Sequence, residues 1–192
     1  MAKGLKVITV GSSQVVADEL LAVANEVFGK DIDGRALGID KLAVGTEADL
    51  FLALPTRINE AAQKVPREKI VSLELVPNSK FYVQIAKIQP GEEVVIFNNN
   101  TAQANKIKEY CLEQGVDHVR FKIVPYDEVT EEDVIEALRG AKYIAGAATI
   151  VGSGNALEKY GKYLRPDVII IPAYRIPTFD STKKIMEYIT LF

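Results

Sequence analysis

Cysteine and histidine are almost missing from this chain: Cys111 is its one thiol and His118 its one imidazole. A single cysteine excludes an intramolecular disulfide and fits a reducing compartment, so a cytoplasmic location is expected. One Cys and one His cannot supply a metal set of the zinc type. The cysteine count also excludes a racemase that works with two thiols. No G-x-S-x-G elbow occurs, and a Ser-His-Asp triad would have to use His118, at a helix-to-strand link on the wrong edge of the sheet. Long apolar runs are lacking too, so no membrane span is read. Met1-Ala2-Lys3-Gly4 leads straight into a strand pattern, without the apolar stretch of a signal peptide. Nor is there an excess of charge of one sign. The net charge is −3, with lysines and glutamates interspersed, so no nucleic-acid surface is expected on this segment. No cofactor and no metal are read, and no catalytic residue.

What is present is ordinary globular material, 48% hydrophobic and 26% charged. The 192 residues allow one compact unit or two small lobes. Short apolar runs alternate with helical periods. Leu5 to Val10 ends in Gly11-Ser12-Ser13, and a helix over about 14–28 follows, with Val16, Leu20, Val23 and Val27 on one stripe and Gly29 at its end. A weak strand covers 32–39, with Gly34 and Gly38 inside it. Asp49 to Leu54 is a buried-type strand. A turn at Pro55-Thr56-Arg57 leads into a helix with Ile58, Ala61, Ala62 and Val65 on one face. Ile70 to Leu75 is the fourth strand. Pro77-Asn78 opens a helix carrying Phe81, Ile85 and Ile88, and Pro90-Gly91 breaks the chain.

The order then restarts. Glu93 to Phe97 is a strand closed by Asn98-Asn99-Asn100, with a helix over about 101–114 and Gly115 after it. Val119 to Val124 is a strand, and Thr130 to Asp133 reads as a capping box. Lys142 to Ala147 and Val168 to Ile171 are strands, with a helix at about 155–164 between them. A turn at 177–180 precedes a last helix carrying Ile185, Ile189 and Phe192. Strand, polar triplet, helix and glycine thus occur twice, and Asp49 to Ala53 and Ile70 to Leu73 have counterparts at Lys142 to Gly146 and Val168 to Ile171. The offset is about ninety residues. Alternation of this kind implies parallel sheets with right-handed crossovers. The expected fold class is α/β: two similar Rossmann-like or chelatase-like lobes, each a four-stranded parallel sheet with flanking helices, related by a pseudo-dyad. The expected boundaries are 1–90 for lobe one, including the linking helix 78–88, 91–176 for lobe two, and 177–192 for a C-terminal helix packing back on lobe one.

Ligands of open parallel sheets bind beyond the carboxyl ends of the strands, where helix N-termini bring unpaired N–H groups together. The polar residues at those ends are Ser12, Ser13, Thr56, Arg57, Asn98, Asn99, Asn100, Thr149 and Ser153. If the lobes face one another, these loops line a cleft suited to a small polar or carboxylate-bearing ligand. Each also has a plainer reading. Ser12, Ser13 and the three asparagines serve equally as helix caps and turn residues. Arg57 opens a helix, where the dipole disfavours a cation unless an anion or acidic neighbour offsets it. Gly152-Ser153-Gly154 has only the first G-x-G of a dinucleotide fingerprint and reads better as a flexible loop. Cys111 lies on an apolar helix stripe and reads as a buried structural thiol.

Three patches carry a resemblance: Asp49 to Arg57, a strand ending in a small polar turn with an arginine; Val94 to Ala104, a strand–Asn–helix opening; and Asp167 to Ile189, an apolar strand, a proline-containing turn and a return helix. Together they resemble the N-terminal sensory domain of propionate-catabolism-type transcriptional activators, which work with the enhancer-dependent alternative sigma factor. The resemblance implies two α/β lobes, an effector bound between them, and an ATPase and a DNA-binding helix-turn-helix further along the full chain. Those later parts lie outside these residues, which end on the apolar Thr190-Leu191-Phe192, as a cut segment would. The turn after the arginine departs from the family, since Ile58-Asn59 stand where its glycines would, so the effector is not carried over. The expected function is ligand sensing in a bacterial transcriptional regulator, without turnover. Its partners are a small-molecule effector, the downstream ATPase and DNA-binding domains, and in one arrangement a second copy of the chain. A small two-lobed enzyme of the tetrapyrrole or nucleotide type, and a dimerisation scaffold, are the competing readings.

Overall fold

The computed structural model describes residues 4–29 and 32–190. The chain divides into two compact units, one of residues 1–76 with 176–192, the other Pro77–Arg175.

In the first unit β1 (Leu5–Gly11) leads into α1 (Gln14–Phe28), followed by β2 (Ile32–Gly38), β3 (Leu50–Ala53), a 3₁₀ turn at Pro55–Arg57, the short α2 (Ile58–Ala61) and β4 (Ile70–Ser72). The sheet order is β2-β1-β3-β4, all parallel. Helices cover both faces of a parallel sheet, so its central strands are apolar on both sides. Leu5, Val7, Leu50 and Leu52 bury one face beside Leu20 and Val23 of α1. Ile8, Val10, Phe51 and Ala53 bury the other beside Ala61 and Val65. The sequence stripe on α1 is turned slightly: Ala17, Leu20, Val23 and Ala24 are the buried residues. The helix expected through Val65 is regular only over Ile58–Ala61 and continues as turns.

The second unit repeats this with α3 (Ser79–Ala86), β6 (Glu93–Asn98), α4 (Thr101–Glu113), β7 (Arg120–Pro125), α5 (Glu131–Arg139), β8 (Tyr143–Ala147), α6 (Ala148–Val151), a 3₁₀ segment at Ala156–Tyr163 and β9 (Ile169–Ala173). Its order is β7-β6-β8-β9, again all parallel. The fold is α/β, with two Rossmann-like lobes of equal strand order. The capping box at Thr130 and Asp133 is present. The helix expected near 155–164 is the 3₁₀ segment, and α6 before it has no sequence counterpart. Pro172 is tolerated because β9 is an edge strand. The Ile169 N–H reaches back to Lys142 O, so alternate N–H groups face β8 and the one Pro172 lacks falls on the free side.

Each unit takes the helix that follows the other unit's strands. Phe81, Ile85 and Ile88, expected as part of lobe one, are buried with Val94, Ile96 and Ile107 of the second unit. Conversely α7 (Phe179–Ile189) buries Ile185 among Leu5, Val7, Leu20 and Leu73 of the first. The chain passes between the units at β5 (Leu75–Pro77) and β10 (Arg175–Pro177), which pair as a two-stranded sheet. Asn78 N–H donates to Tyr174 O at 2.8 Å and Thr178 N–H to Glu74 O at 3.0 Å. The second boundary thus falls close to the expected 176, while the first lies well before Pro90-Gly91. Phe192, expected on the last helix, lies outside the described residues, as does the start Met1-Ala2-Lys3. Among the described residues no helix is long and apolar enough to cross a membrane.

Candidate functional site

At the carboxyl edge of the first sheet, β1 and β3 are neighbours, so the loops carrying Ser12 and Ser13 and those carrying Thr56 and Arg57 share that edge. Ser13 is the N-cap of α1 and accepts from the Val16 N–H at 3.4 Å; Ser12 beside it is exposed. The helix comes close to the strands here: a Cβ on Gly11 would lie 2.3 Å from the Ala17 nitrogen. Thr56 is exposed in the 3₁₀ turn. Arg57 donates from Nη1 to Glu60 Oε2 at 2.9 Å, so the acidic neighbour its position calls for is one turn along its own helix.

The second sheet brings the remaining candidates to one edge, since β6 and β8 are neighbours. Asn98 is buried, with its Oδ1 accepting from the Asn99 N–H at 2.8 Å. Asn99 O accepts from the Asp127 N–H, and Asn100 caps α4 by accepting from the Gln103 N–H at 2.9 Å. The anion position at this helix start already has an occupant. Thr101 donates from both its hydroxyl, at 2.6 Å, and its N–H, at 3.0 Å, to Glu128 Oε2. These two donors hold the Glu128 carboxyl below the usual glutamate range, the hydroxyl contributing most. Thr149 is half-buried on α6.

Ser153 lines a groove of about 480 Å³ that starts at this edge and runs along β9. Its two walls follow from two periodicities. In a 3₁₀ segment residues three apart share a face. Leu157 and Tyr160 are buried in the core with Val151 and Phe97, and the next row, Glu158, Gly161 and Leu164, lines the groove. In a strand residues two apart share a face. Ile170, Pro172 and the following Tyr174 form the opposite wall, while Ile171 and Ala173 are buried on the other side of β9. Gly152 and Ser153 complete the lining. The glycine at 152 is needed, as a Cβ there would lie 2.4 Å from Ala148 O. Glu158 turns back to accept from the Gly154 N–H, and Asn155 Nδ2 donates to Ala148 O at 3.2 Å. The G-S-G loop is therefore pinned on both sides.

Sequence reasoning found Ser153 and missed the rest of this groove. Asn155-Ala156-Leu157-Glu158 has the spacing of a capping box, which sends a glutamate back toward the preceding loop. Glu128 lies 27 residues from Thr101 and carried no such signal. Of the residues set apart from the site, Cys111 is fully buried, and burial pushes its thiol up to about 12. His118 Nε2 is 3.0 Å from Ile88 O, on the amino side of β6. Among the described residues no group of three or more His, Cys, Asp and Glu is arranged to hold a metal ion. No family model matches the chain, nor does any curated protein or solved structure.

Proposed function

We propose that this chain is the ligand-sensing domain of a bacterial transcriptional regulator, binding a small metabolite beyond the carboxyl ends of its parallel strands. The observation that carries the ligand-binding part is the groove between the 3₁₀ segment and β9. Its volume of about 480 Å³ suits a small molecule, as binding pockets run from ~300 to 1,000 Å³. One end of it, at Gly152 and Ser153, lies at the carboxyl edge of the sheet, where open α/β sheets take their ligands, and from there it runs along the face of β9. The regulatory part rests on the resemblance of Asp49 to Arg57, Val94 to Ala104 and Asp167 to Ile189 to the sensory domain of propionate-catabolism-type activators.

The test uses a variant that fills the groove. Gly161 lines the groove and has nothing within 4 Å of the position a Cβ would take, so the side chain of Gly161→Leu starts in open space. A metabolite screen by thermal shift is expected to find a compound that raises the melting temperature of the parent chain, because a ligand of the native state alone stabilises it. The shift is expected to vanish in Gly161→Leu. A shift of the same size in both proteins places the ligand elsewhere and defeats the assignment. The regulatory part is tested in the full-length protein, where the same compound should change transcription from a dependent promoter.

A further inference from the structure

The groove carries a single charge, and its sign selects the ligand. Of the residues lining it, Glu158 alone is charged; Ser153 and Tyr174 add hydroxyl groups, and Leu157, Leu164, Ile170 and Pro172 are apolar. The lysines of the same segment have other partners. Lys159 Nζ lies 3.1 Å from Glu131 Oε1, and Lys162 Nζ sits 4.8 Å from the centre of the Tyr163 ring. The loop donor that an anion would use, the Gly154 N–H, is given to Glu158 Oε2. At the neighbouring start of α4, Thr101 is given to Glu128 in the same way. An anionic ligand entering the groove would thus meet a carboxylate with no cation among the lining residues to answer it. A carboxylate has two acceptor oxygens, and the Gly154 bond uses only one of them.

We propose that this groove binds a small amine. Its ammonium group donates to Glu158, and its apolar chain or ring lies between the Leu157, Gly161 and Leu164 wall and the Ile170 and Pro172 wall. The proposal rests on the reading of the groove as the ligand site and narrows its class, away from the carboxylate-bearing metabolite expected from the sequence.

Chain-matched probes separate the two claims. Hexylamine, hexanol and hexanoate are titrated at millimolar concentration against the whole chain, following backbone amides by ¹H–¹⁵N NMR. Hexylamine is expected to move the amides of Gly152, Ser153, Gly154 and Gly161, with a Kd roughly tenfold or more below that of hexanoate, the gain of one charge-assisted hydrogen bond over a repelled charge. Glu158→Gln keeps an acceptor for the Gly154 N–H, so the loop is retained. In this variant hexylamine should lose its advantage and bind about as hexanol does. Gly161→Leu should remove the response to all three. Hexanoate binding as tightly as hexylamine, or an amine advantage that survives Glu158→Gln, overturns the amine and leaves the groove as a ligand site. No response to any probe, or responses that persist in Gly161→Leu, overturns the groove itself.

Discussion

Gly11 and Gly161 stand in opposite surroundings, and the same substitution should separate them. A methyl group on Gly11 would run into the backbone of α1 at Ala17, with no flexible side chain to give way. Gly11→Ala is therefore expected to cost about 1–3 kcal/mol, the usual penalty of overpacking. Gly161→Ala adds its methyl to open space and should stay within about 0.5 kcal/mol of the parent. Urea denaturation of the two variants checks both. Glu128 offers a pH test. Its folded carboxyl titrates below the usual range because Thr101 donates to it twice. A carboxyl depressed in the folded state stabilises above its unfolded pKa, and that contribution disappears as the pH falls through the folded one. The stability of the parent and of Glu128→Gln should therefore differ near neutrality and converge in acid, and ¹³C NMR of the Glu128 carboxyl should place its midpoint below that of a free glutamate. Cys111, buried with its thiol pushed up to about 12, should resist iodoacetamide until the chain unfolds.

Elements with a strong period were readable in the sequence. The apolar runs of β1, β3, β6 and β8 and the stripes of α3 and α4 are set by burial on both faces of a parallel sheet, and burial is what an apolar run records. The capping box at Thr130 and Asp133 was readable because its two residues act on each other locally. The shorter pieces were not. α2 stops at Ala61 although Ala62 and Val65 continue its apolar spacing; Val65 is buried just as well from a turn. The 3₁₀ segment at Ala156–Tyr163 passes for an α-helix, because Leu157 and Tyr160 fit either period. Reading it with a period of three gives the row Glu158, Gly161 and Leu164, and with it one wall of the groove. Ser181 is buried near the start of α7, accepting from the Glu74 N–H at 2.9 Å and from the Thr178 hydroxyl at 2.9 Å. Ser181→Ala leaves the Glu74 N–H without that acceptor and should cost about 1–3 kcal/mol by urea denaturation. Ile185→Ala, emptying a fully packed site beside Leu20 and Leu73, should cost about 2–5 kcal/mol.

At the scale of the whole molecule, the twofold repeat of strand order was readable, but the ownership of the linking helix was not. Pro90-Gly91 is the strongest local breaker, yet Phe81 and Ile85 are buried beyond it in sequence, against Val94 and Ile96. A breaker marks where a helix stops and carries no information about which sheet the helix covers. One unit is continuous, Pro77–Arg175, and the other needs both ends of the chain. A fragment of residues 77–175 should accordingly give a dispersed ¹H–¹⁵N spectrum and cooperative unfolding. A fragment of residues 1–76 lacks Ile185 and the Ser181 hydroxyl and should do neither. Adding a peptide of residues 176–192 should restore dispersion to the second fragment.

That asymmetry has a consequence in time. Synthesis runs from the amino end, and domains ordinarily fold in that order. Here the order is reversed: α7, which closes the first unit, is made only after the whole of the second. At ~5–20 residues per second, the apolar face of Leu5, Val7, Leu20 and Leu73 waits roughly 5–20 s for its cover while the ribosome reads through the second unit. Of the two units, the one begun first is finished second, and through that interval it is the one that a nascent-chain chaperone would hold.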